Sequence, residues 1–184
     1  MDVTKRTQAL VVSAVALALV TPAAATEETG EMLFRKVLLG HCYAVVTGKT
    51  LLKTDIDVSA WNKVAWSEGS NGGGLTSDAR TRTTQSGSVI VDPTPDGCFV
   101  QAGGVDSAAL ARALKEQLQS PPFGAVLYQD KMDDASARAP RKHTVIFSVL
   151  ADTGDAAPVV IINEFLPPAP GIVTGHVVMG RKAK

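Results

Sequence analysis

Residues 144–165 read TVIFSVLADTGDAAPVVIINEF, and this stretch decides the fold. Thr144–Ala151 and Pro158–Phe165 are rich in Val, Ile and Phe, side chains that suit a pleated, half-buried surface. Asp152–Ala157, with Gly154, separates them. Two β-rich runs joined by a short Asp/Gly connection predict a hairpin, hence antiparallel pairing.

Working outward, further short strands are expected. Ile172–Met179 alternates well enough for a final strand after the Pro167–Gly171 turn. Ser88–Val91 and Cys98–Ala102 flank Asp92–Gly97, a Pro/Asp/Gly cluster in which proline presets φ and glycine supplies φ > 0. Ala125–Gln129 is a candidate strand, whereas Asp130–Lys142 is charged and reads as a surface loop. Residues 76–88 suit an exposed edge strand or a loop, and Ser67–Gly74 reads as a flexible loop.

Two segments carry helical periodicity. Thr26–Gly48 places Phe34, Leu38 and Cys42 on one stripe, with Glu27, Glu28 and Glu31 at the positive end of the dipole. Ala108–Gln119 aligns Leu110, Leu114 and Leu118 behind Asp106 or Ser107 as cap, and Pro121-Pro122 stops it. A shorter helix is expected from Ser59 through Trp66. The expected fold is an α+β two-layer sandwich: an antiparallel sheet of about four to six strands with two main helices on one face.

Residues 1–25 read as a cleavable secretory signal. Lys5 and Arg6 precede an apolar run, Ala9–Val20, and Ala23-Ala24-Ala25 supplies small residues for cleavage before Thr26. That run is shorter than the roughly 20 residues needed to cross a bilayer. The expectation is export by a Sec-type signal to the periplasm or medium, with no membrane span after cleavage. A single domain over 26–180 then ends in a basic, frayed tail, 181–184.

Without residues 1–25 the chain has 16 basic and 17 acidic residues. That near-balance speaks against nucleic acid, which demands a basic surface to displace counterions. The clusters Arg80/Arg82, Arg138/Arg141/Lys142 and Arg181/Lys182/Lys184 read as solvated loops or termini. Cys42 and Cys98 are the only cysteines. In an exported chain an even count points to a disulfide, here joining first helix to first hairpin.

No catalytic motif is complete. His41, His143 and His176 lack the H-x-H or H-E-x-x-H spacing of a metal site. Ser70 lies in a Gly-rich loop without the strand–turn–helix of a nucleophile elbow. Asp133/Asp134, Asp152/Asp155 and Asp92/Asp96 fall in expected turns, where Asp serves its own backbone. Glu164 is the one carboxylate inside an apolar segment, and strand alternation lets it face solvent. Trp61 and Trp66 suit packing better than ligand stacking.

No catalytic residue, cofactor or bound metal is therefore assigned, and no motif resembles a known family. The leading expectation is a non-enzymatic module binding a protein or small ligand. The rival is a cell-envelope hydrolase or transferase using Ser70, a histidine or Glu164 in a site assembled by folding. An envelope metal binder using the three histidines is the weaker alternative.

Overall fold

The N-terminal helical segment of the computed structural model is not one regular helix. It comprises α1 (Gly30–Lys36), a π-helical stretch (Val37–Cys42) and α2 (Tyr43–Thr47). Thr29 caps its start by accepting from the Met32 N–H, and Gly48, at φ 68°, ends it in the left-handed region. The π stretch widens the turn, and Val37, Leu38, Leu39 and Gly40 are all buried in succession. Gly40 is needed there: a Cβ would sit 2.4 Å from Thr54 Cγ2, in the chain that crosses it.

The structure describes residues 28–64, 75–133, 142–149, 156–166 and 171–181. The expected leader 1–25, Trp66, Ser70, Asp134, Asp152, Asp155, Arg138, Arg141 and the tail 182–184 lie outside them.

Eight strands follow the first helical segment: β1 (Asn62–Lys63), β2 (Arg80–Thr84), β3 (Gly87–Thr94), β4 (Gly97–Gly103), β5 (Val126–Met132), β6 (Lys142–Ser148), β7 (Ala156–Phe165) and β8 (Ile172–Arg181). They form one antiparallel sheet in the order β1-β2-β3-β4-β8-β7-β6-β5. Two meanders are thus joined by α3 (Ser107–Gln119), which carries the chain from β4 to the far edge.

This corrects the expected four-to-six-stranded sandwich with two main helices. Among the described residues the sheet has eight strands, and α3 is the only long helix. β2 contributes no fully buried side chain, so hydropathy gave it no signal; it joins through backbone pairing with β1 and β3. In the described part of the expected Ser59–Trp66 helix there is only a single 3-10 turn, Val58–Ala60, capped by Asp57. Part of the expected 130–142 loop is strand, because β5 runs to Met132 and β6 starts at Lys142. Arg181, the first residue of the expected tail, belongs to β8.

The core lies between the helices and one sheet face. Leu33, Phe34, Val37 and Leu38 pack with Leu110, Leu114 and Leu118 over Val89, Val100, Phe147, Val160, Ile162 and Val177. Each such fully buried side chain contributes about 1.5–3 kcal/mol by leaving water. β8 passes close beneath the helices at Gly175, where a Cβ would lie 2.6 Å from Leu38 Cδ2 and 3.1 Å from Phe34 Cζ. Cys42 and Cys98, both buried, form a disulfide with Cα atoms 5.2 Å apart. It ties the π stretch to the first turn of β4.

Candidate functional site

Strand alternation and the start of α3 together bring five polar residues to one place. Val145 and Phe147 of β6 face the helices, so His143, two residues earlier, does too. It stands opposite Glu164 on β7 and Met132 on β5. A register shift between Leu127 and Gln129 leaves Tyr128 as the extra residue of a bulge and sets Asp130 opposite Val145, on the same face. α3 lies over this corner and adds Ser107 and Lys115.

The contacts form a chain. Ser107 Oγ donates to Glu164 Oε1 at 3.5 Å. His143 Nδ1 lies 3.8 Å from Glu164 Oε2, and its Nε2 hydrogen-bonds Asp130 Oδ1. Lys115 Nζ donates to Asp130 Oδ2 at 2.7 Å. The Lys115 ammonium, then the His143 ring, hold the Asp130 carboxyl below the usual carboxylate range. Glu164 does not face solvent as alternation allowed: its side chain is 12% exposed, on the helix side of β7.

A serine, an imidazole and two carboxylates are the raw material of nucleophilic catalysis, but their order here is wrong for it. A serine nucleophile needs a base at its hydroxyl and a third group orienting that base. Ser107 instead meets a carboxylate, and both nitrogens of His143 point to carboxylates. The arrangement braces α3 against β5, β6 and β7.

The other histidines are elsewhere. His176 sits on β8 between Gly175 and Val177, so it points away from the helices and from His143. Its ring meets Phe99 edge-on at 6.3 Å, its buried Nε2 has no hydrogen bond among the described residues, and burial pushes its pKa down. His41, on the π stretch, is likewise shifted down by burial, partly offset by Asp57. Among the described residues no three His, Cys, Asp or Glu side chains are grouped to hold a metal ion.

The placement of Asp92 and one open cleft were not visible in the sequence. Asp92 lies on β3, not in the turn; it is buried and accepts from the Thr76 N–H at 2.8 Å and from the Thr76 hydroxyl. It therefore anchors the chain leading into β2. Trp61 is packed into the core and forms one wall of an open cleft of about 510 Å³, shared with Asp55, Asp57, Asn62 and Arg82. The cleft's charges are partly engaged already, Asp55 with Lys36 at 3.7 Å and Arg82 with Glu28 at 3.5 Å.

Among the described residues no helix is long and apolar enough to cross a membrane. No family model, curated protein or solved structure matches this chain.

Proposed function

We propose that the chain is an exported, non-enzymatic binding module, a domain over residues 26–180 held by the Cys42–Cys98 bridge, that takes a protein or small-molecule ligand. One observation supports the non-catalytic half of this reading: at the corner where, among the described residues, serine, histidine and acids converge, Ser107 contacts Glu164 and no described imidazole. The tripartite pattern of residues 1–25 supports export. The buried disulfide fits an oxidising compartment.

A second reading, an envelope hydrolase or transferase, draws on Glu164, a largely buried carboxylate 3.5 Å from a hydroxyl. One experiment separates the two. Purified disulfide-bonded protein is incubated with chromogenic ester, peptide and glycoside substrates. The module reading expects turnover no faster than buffer; turnover that disappears in Ser107→Ala or Glu164→Gln would overturn it.

A further inference from the structure

We infer that β5 is a docking edge for an extended polypeptide segment that carries an acidic residue to meet Lys131. The inference deepens the binding-module reading and rests on it.

Six large apolar side chains are exposed among the described residues, and three of them lie on this one strand: Val126 (51%), Tyr128 (79%) and Met132 (45%). Among the described residues β5 ends the sheet and pairs with β6 alone. Its outer row of N–H and C=O groups therefore has no described strand beside it, which is the template for adding one. The opposite edge differs: β1 is two residues long, a length that offers little to an incoming strand.

β5 is also tied to its neighbours at one residue: Asp130 bonds Lys115 of α3 and His143 of β6. The bulge at Tyr128 places the most exposed aromatic among the described residues beside Gln129–Met132. Lys131 is exposed and makes no ion pair among the described residues, whereas the neighbouring carboxylate, Asp130, is fully engaged. The unsatisfied charge of the edge is thus positive. The matching partner is a strand with apolar side chains for Tyr128 and Met132 and a Glu or Asp opposite Lys131.

The test pans the disulfide-bonded protein against a library of end-blocked decapeptides in which apolar and variable positions alternate, and then follows amide exchange. The expected result is enrichment of peptides with Glu or Asp at a variable position, protection of amides 129–132 on binding, and loss of about tenfold or more in affinity for Tyr128→Lys, as for an anchor side chain. Lys131→Glu, a change at an exposed position, should switch enrichment from acidic to basic peptides. Peptides that protect only the Trp61 cleft would overturn the edge inference and leave the module reading standing. So would a library without enrichment, or a dimer of the free protein in which β5 is protected. Cleavage of the peptides would overturn the module reading itself.

Discussion

Lys115 of α3 and His143 of β6 grip opposite oxygens of a single carboxylate, that of Asp130, and so tie the one long helix to the edge strand. The tie turns a corner that resembles a reactive site by composition into a mechanical joint. It also fixes the strand proposed to receive a partner.

Asp130→Asn should lower stability by about 1 kcal/mol or less near neutral pH, the range for partly exposed ion pairs. The Asp130 carboxyl is shifted down in the folded chain. Its contribution is therefore present above the ordinary carboxylate pKa and is lost as pH falls through the lowered value. Urea unfolding of wild type and variant should differ near neutrality and converge once the pH has fallen below the lowered value. A difference independent of pH would contradict this.

His41 and His176 are both shifted down, mainly by burial, so folding favours their neutral rings. The unfolded chain then binds more protons than the folded one just below the usual value of 6.5. Stability attributable to these rings should be complete above that value and fall as pH drops towards the lowered ones. His176→Gln should flatten the decline of the urea midpoint across that window. A wild-type midpoint that rises on acidification from neutral would contradict the assignment.

Replacing Cys42 and Cys98 together by Ala should cost about 2–5 kcal/mol, since the bridge closes a long loop in the unfolded chain. Under native conditions neither sulfur should react with an alkylating agent, because both are bonded and fully buried. Mass spectrometry after alkylation without reductant reads this directly, and two labelled cysteines would overturn the bridge.

Gly175→Ala should destabilise by about 1–3 kcal/mol, the cost of overpacking, because the new methyl meets Leu38 at 2.6 Å. Tyr128→Ala, on the exposed edge, should change stability by no more than about 0.5 kcal/mol. Thermal unfolding of the two variants checks whether β8 is the strand beneath the helices and β5 the one in solvent.

Sequence periodicity reveals what hydropathy drives. The apolar runs around Val145 and Ile162, the leucine stripe of α3 and the Asp106 cap all appear in the structure. Asp106 accepts from the Ala109 N–H at 3.0 Å. The Cys42–Cys98 pair was likewise visible, from the even count and the expectation of export. Hidden were elements held by backbone bonds alone, above all β2, with its Thr and Arg side chains and no buried face. The π stretch was hidden too, because a widened turn still reads as an apolar helix. The Asp130–His143–Glu164 corner depends on the β5 bulge and on a strand order in which β5 follows the interior strand β4 in sequence but stands at the sheet's edge, beyond β8, β7 and β6. No local pattern encodes that juxtaposition, although Glu164 stood out as a carboxylate in an apolar run.

Amide hydrogen exchange of the free protein tests the central claim, an open β5 edge on a disulfide-stapled sheet, most directly. Central strands β4 and β8 should hold the slowest amides, while the outward-pointing amides of residues 126–132 exchange as fast as an unpaired edge allows. Uniform protection of 126–132, matching that of 98–102 in a monomeric sample, would contradict the account.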